Sequence, residues 1–161
     1  MPADEWSRVV DVDLDGVMFA CQAEHAVLAE HGGSIVNIVS MSGHIVNRGV
    51  THAAHSAAKA GVIHLSKALA VEWAPVGIRE NSVSPGYTLA AMTRRNPPDV
   101  NAGFAAQTPL GRLAEVEEVA EPVVFLLGEQ SSFVTDTTCS STAASAPGES
   151  QGAVGAPTSG R

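Results

Sequence analysis

The chain has 161 residues, 45% of them apolar, and a net charge of −8. It contains no run of ~18 apolar residues that could span a bilayer, so composition points to one domain with its own core and no membrane role. Apart from the Arg94-Arg95 pair its positive charges are scattered singly, which argues against a basic surface of the kind that holds nucleic acid or an anionic membrane. In chain order, residues 4–30 place Trp6, Val9, Leu14, Val17, Cys21 and Leu28 at near-helical spacing with no proline between them, which predicts one long helix with an acidic, solvated face. Gly32-Gly33 stops it. Residues 34–40 form a β-branched run, apolar except for Asn37, which suits a parallel strand buried on both faces. Residues 52–74 predict an Ala-rich helix closed by Pro75 and Gly77, and residues 78–84 a second strand that turns at Pro85-Gly86. Residues 88–109 read as loop with a short helix. Residues 115–127 read as a helix in which Pro122 is tolerable only near a first turn or a kink. Residues 133–140 are a candidate last strand. Helices alternating with strands predict an α/β fold with a parallel sheet and right-handed crossovers. Residues 1–140 are expected to form this domain. Residues 141–161, poor in bulky apolar side chains, are expected to be a flexible low-complexity tail.

The two cysteines lie far apart, no C-x-x-C occurs, and the start M-P-A-D-E-W-S-R carries no leader pattern, so a reduced cytoplasmic setting is expected. His44, His52 and His55 are close in sequence, but no cysteine or carboxylate joins them at ligand spacing, and no metal site is expected. Chemistry in a parallel sheet belongs at the carboxyl ends of the strands. Two such ends carry polar residues, Ser40 with Ser42 and Ser84-Pro85-Gly86. His55 and Lys59 stand four apart on the helix between them and share one face. A hydroxyl, an imidazole and an ammonium can therefore converge on one pocket.

The ordered segments V-D-V-D-L-D-G-V-M-F-A-C-Q-A, G-S-I-V-N-I-V-S-M-S-G, A-A-H-S-A-A-K-A-G-V, I-R-E-N-S-V-S-P-G-Y and P-L-G-R-L-A-E-V-E-E-V-A resemble the second half of a classical short-chain dehydrogenase/reductase. The S-M-S-G-H-I-V-N and A-V-E-W-A stretches resemble the branch that acts on polyols and ketoses. The resemblance implies a partial Rossmann-like, doubly wound sheet without the N-terminal βαβ half that binds the dinucleotide. It implies NAD or NADP as cofactor and a small alcohol or ketone as substrate. It also implies a homo-oligomer paired through the helices over 4–30 and 52–74. In catalysis it assigns Ser40 to bind the carbonyl oxygen and Lys59 to bind the nicotinamide ribose. It assigns Pro85, Gly86 and Thr88 to the nicotinamide side, with Thr88 offering backbone groups to a carboxamide.

Three departures stand out. His55 occupies the position of the family's proton-donating tyrosine, Asp13 that of its relay asparagine, and Ala90 that of an expected threonine. No G-x-G-x-x-G is present, so cofactor binding by this chain alone is not expected. A neutral imidazole accepts a proton from an alcohol but is a poor donor to a carbonyl, and it is shorter than a phenol. Glu80 puts a carboxylate into a strand that should be buried, which is costly unless it is paired or protonated. Three readings remain open: an impaired oxidoreductase, a catalytically silent truncated remnant, and a non-enzymatic oligomerisation subunit.

Overall fold

The computed structural model describes residues 1–47 and 49–141; beyond Ser141, the tail expected over 141–161 lies outside the described residues. Three strands, β1 (Gly33–Ile38), β2 (Ile78–Pro85) and β3 (Thr138–Ser141), form a parallel sheet in the order β1-β2-β3. Gly33 pairs with Ile78 and Ile38 with Val83, while Ser82 to Pro85 pair with Thr138 to Ser141. Parallel neighbours need a crossover. Between β1 and β2 it is α3 (Ala53–Trp73), and between β2 and β3 the chain forms α4 (Pro98–Ala106) and α5 (Val116–Leu127). Ahead of β1 run α1 (Ala3–Val10) and α2 (Gly16–Leu28). A π-helical turn over Asp11–Asp15 joins them, so the helix expected over 4–30 is one rod with a widened turn in its middle. It ends where Gly32 takes φ 74°, with a Cβ position 2.8 Å from the Gly77 carbonyl oxygen that only glycine can leave empty.

Side chains alternate across the sheet. Ile35, Asn37 and Val39 of the first strand and its extension, with Ile78 and Glu80 of β2, face α2 and α3. There Cys21, Ile35, Leu69 and Ile78 form one apolar cluster, and Val39, Val62 and Ile63 a second. Leu14 packs over Gly61, whose missing side chain lets the two helices approach. On the other face, Ser34 Oγ donates to the Leu126 carbonyl at 2.8 Å, and the Arg79 guanidinium donates to the carbonyls of Leu126 and Gly128. Those bonds, with a capping box between Glu115 and Glu118, fasten both ends of α5. Pro122 lies well inside that helix, past the first turn, one of the two places expected for it, the other being a kink, and forgoes a hydrogen bond to the Glu118 carbonyl.

The last strand is shorter than the 133–140 expected. Asn81 replaces part of the ladder with its side chain, donating to the Val134 carbonyl at 2.9 Å and accepting from the Thr137 N–H at 3.1 Å. The segment before β3 bends there, with Asp136 at φ 62° and Phe133 fully exposed.

Glu80 is fully buried. Its Oε1 accepts from Asn37 Nδ2 at 2.8 Å and lies 3.8 Å from the Cys21 thiol, while Oε2 has no partner among the described residues. Burial pushes its carboxyl up to about 7, against the pull of the bonds from Cys21 and Asn37; Glu24 nearby adds to the rise. The same burial raises the Cys21 thiol to about 11, so it stays a protonated core residue. Among the described residues, no helix is long and apolar enough to cross a membrane.

Candidate active site

The carboxyl end of β1 carries the first functional group. Past Ile38, Val39 N–H still bonds the Val83 carbonyl at 2.8 Å, which holds the exit in line with the sheet. Ser40 follows in an extended conformation, and its Oγ accepts the Ser42 N–H at 3.1 Å, capping a short 3₁₀ turn over Met41–Gly43. Among the described residues nothing accepts the Ser40 hydroxyl proton. Gly43 seats this turn on α3, since a Cβ there would lie 2.9 Å from the Lys59 carbonyl carbon and 3.0 Å from Ala60 N. Ser42, which is buried, accepts from Asn47 Nδ2 at 2.8 Å.

The first turn of α3 presents His55. Its Nδ1 lies 2.7 Å from Asp13 Oδ2, across from the π-helical turn. A carboxylate only accepts, so Nδ1 carries the shared proton and Nε2 of the neutral ring keeps its lone pair. The side chains are 35% and 24% exposed, shielded enough for the bond to orient the ring. Lys59, one turn on, directs its ammonium to the Ile38 carbonyl at 3.4 Å, back at the end of β1. His52 meets His55 edge-on, with ring centroids 5.5 Å apart. Burial, and secondarily the charge His55 can carry, hold His52 below the ordinary histidine range.

These elements enclose a cavity of about 510 Å³ whose wall includes Ser40, His55, Pro85, Gly86 and Thr88. Lys59 and Asp13 stand behind that wall, Asp13 through His55. The sequence reading placed Asp13 at the position of the family's relay asparagine; here its carboxylate meets His55. The Thr88 carbonyl is already taken by Ala90 N–H and the Thr93 hydroxyl. Only the Thr88 N–H remains, among the described residues, to meet a carboxamide. The Thr93 hydroxyl donates to the carbonyls of Thr88 and Ala90 and accepts the Ala90 N–H. Ser84, at the end of β2, is spent on His44 Nε2 at 2.9 Å. Among the described residues, no three His, Cys, Asp or Glu side chains are arranged to hold a metal ion.

Sequence reasoning did not find the far wall. Tyr87, just past Gly86, stacks on Phe104 of α4 with centroids 4.2 Å apart and planes 9° from parallel, and both line the cavity with Met92 and Asn47. A lone aromatic in a weakly patterned segment gave no signal of this.

The chain matches a family model described as enoyl-(acyl carrier protein) reductase over residues 1–141. It is 43% identical over 132 residues to a cis-4-hydroxycyclohexanecarboxylate dehydrogenase of Sinomonas cyclohexanicum, across 80% of this chain and 51% of that protein. It is 40% identical to a galactitol 2-dehydrogenase (L-tagatose-forming) of Cereibacter sphaeroides, across 81% of this chain and 52% of that one. The chain belongs to the short-chain dehydrogenase/reductase family. Its structure superposes on a 3-oxoacyl-[acyl-carrier protein] reductase from Brucella melitensis with a TM-score of 0.84 at 36% identity, covering 88% of this chain and 53% of that one. It therefore spans about half the length of the short-chain dehydrogenase/reductase relatives it matches.

The nicotinamide half of a dinucleotide would meet here the Thr88 N–H, without a partner among the described residues, the cavity wall at Pro85 and Gly86, and the Lys59 ammonium at the end of β1.

Proposed function

We propose that this chain carries the catalytic residues of an NAD- or NADP-dependent oxidoreductase interconverting a secondary alcohol and a ketone. In it the Asp13–His55 pair replaces the tyrosine of the family. The 2.7 Å bond between Nδ1 and the carboxylate, beside a cavity with Ser40 in its wall, is the observation that supports this reading. His55 Nε2 takes the hydroxyl proton of the alcohol. The Ser40 hydroxyl donates to the same oxygen. Asp13 orients the ring and stabilises the imidazolium that forms. When bound, NAD or NADP supplies the hydride acceptor, and Lys59, Thr88, Pro85 and Gly86 are the residues that would hold its nicotinamide half. Oxidation should run ahead of reduction, because a neutral imidazole is the better acceptor, and the shorter side chain should leave turnover below that of a phenol.

The test is NADH or NADPH appearance at 340 nm (the absorbance band of the reduced cofactors) with secondary alcohols and polyols. Asp13→Asn, His55→Ala and Ser40→Ala serve as comparisons. Turnover that His55→Ala abolishes supports the assignment. Turnover that His55→Ala leaves intact refutes it, and absence of turnover with every alcohol favours the silent remnant.

A homo-oligomer is part of the proposal. Val12, Phe19 and Val27, spaced seven and eight residues apart, are 67%, 65% and 73% exposed along one stripe of the π-turn and α2, and Val71 of α3 is 70% exposed. An apolar stripe of this kind suits pairing with a second copy. Sedimentation velocity of Phe19→Glu against the parent chain tests it; a monomeric parent would overturn the pairing.

A further inference from the structure

We infer that the cavity takes a compact, largely apolar secondary alcohol or its ketone, rather than a polyol. This rests on the reading above, in which Ser40 and His55 meet the reacting oxygen. Away from that end the wall is Val39, Met41, Val50, Met92 and the stacked rings of Tyr87 and Phe104. The polar side chains among them are mostly committed to one another. Ser42 is bonded to Asn47, Thr88 Oγ1 to the Gly86 carbonyl, Thr93 to the Thr88 carbonyl, and Asn96 Nδ2 to Asn101. The Tyr87 hydroxyl and His52 Nε2 have no partner among the described residues and are buried beyond the reach of water. Besides Ser40 and His55, what is left among the described residues is the Ser42 hydroxyl proton and the side-chain oxygen and second N–H of Asn47 and of Asn96, too few for a hydroxyl on every carbon.

A polyol carries a hydroxyl on every carbon. Most of these would lie against methionine, valine and aromatic surface, each costing about 1–3 kcal/mol if it found no partner. A ring or short alkyl body with one reacting oxygen loses nothing there and gains from burial. Phe104 and Met92 thus act as specificity residues that select by apolar contact.

The test reads binding directly on the full chain, by saturation-transfer NMR and titration calorimetry, with cyclohexanol and galactitol as probes, each with and without NAD or NADP. Cyclohexanol should bind at least about tenfold more tightly than galactitol, the scale of one or two unmatched hydroxyls. Met92→Ser, at a side chain 79% exposed and so harmless to folding, and Phe104→Asn should each weaken cyclohexanol several-fold without weakening galactitol. Equal affinities, the reverse order, no binding of cyclohexanol under any condition, or no effect of either substitution would overturn the inference. Cyclohexanol that binds but is never oxidised refutes the oxidoreductase reading and leaves the substrate preference standing.

Discussion

Two carboxylates, one on the long helical rod and one packed beneath it, are handled in opposite ways. Asp13, on the π-helical turn, meets an imidazole at 2.7 Å and is 24% exposed. Glu80, on the sheet beneath α2, is fully buried, and the groups around it are an amide, a thiol, the Ser66 hydroxyl and the nearby acid Glu24. The first has a partner that can become a cation, and that suits it to proton chemistry. The second has no such partner, and its carboxyl is pushed up to about 7. What separates them is the sign of charge available nearby and access to water, rather than the carboxyl group itself.

Breaking the first member should have the largest effect. Asp13→Asn leaves His55 in place but frees its ring to take the other tautomer. Alcohol oxidation, followed by NADH or NADPH absorbance, should fall by about 100-fold or more, while thermal melting barely moves. An unchanged rate would reduce the pair to a surface contact.

The second member is tested by pH. The unfolded chain releases the Glu80 proton near 4.5 and the folded chain near 7, so between those values the folded state binds more protons. Stability contributed by Glu80 therefore falls as pH rises through that window and is level above it, by about 3 kcal/mol in all. Urea denaturation at pH 5 and pH 7.5 should show this loss in the parent and not in Glu80→Gln. Parallel behaviour of the two proteins would mean that Glu80 ionises freely. At pH 7.5 alone, Glu80→Gln should be the more stable protein by about 1–2 kcal/mol, because an uncharged amide replaces a charge without a partner; a less stable variant would show that the buried charge is matched.

Glu118 extends the comparison to open surface. Its carboxyl is held down to about 2 by the Arg112 guanidinium and the Glu115 N–H, yet both side chains of the pair are about half exposed. Arg112→Ala should shift Tm by less than about 2 °C in ordinary salt, since exposed pairs contribute little. A larger drop in a thermal scan would make this pair a real anchor of α5.

The order of helices and strands was legible because each carries its own period and its own stops, as in the Gly32-Gly33 break and the proline after residue 74. Glu80 was legible as an anomaly, since a charge in a two-sided apolar strand conflicts with its surroundings. The Asp13–His55 bond was not. Each residue read singly as a lost function, and only a fold that carries residue 13 across the face of α3 shows that the two replacements answer each other. The widened turn that brings Asp13 there has no local signature in D-V-D-L-D. The shortened β3 escaped notice for a similar reason, because the Asn81 side chain imitates backbone at a distance of more than fifty residues, as its bonds to Val134 and Thr137 demonstrate. The α4 wall depends on a stacking contact between Tyr87 and Phe104 that no periodicity encodes.

The seat of Gly43 on α3 has a consequence for how this protein can change. Main chain comes close to main chain there, the turn after Ser40 lying against the backbone of Lys59 and Ala60 with the end of the Ile63 side chain beside it. The spacing of hydroxyl and imidazole is therefore anchored on that backbone contact, apart from whatever sequence fills the loop beyond. Segments 44–47 and 49–51 can be traded for those of another relative, altering what enters the cavity while the reacting groups keep their alignment. A single methyl at position 43 would do the reverse: it would leave the cavity wall chemically intact and move the chemistry out of register.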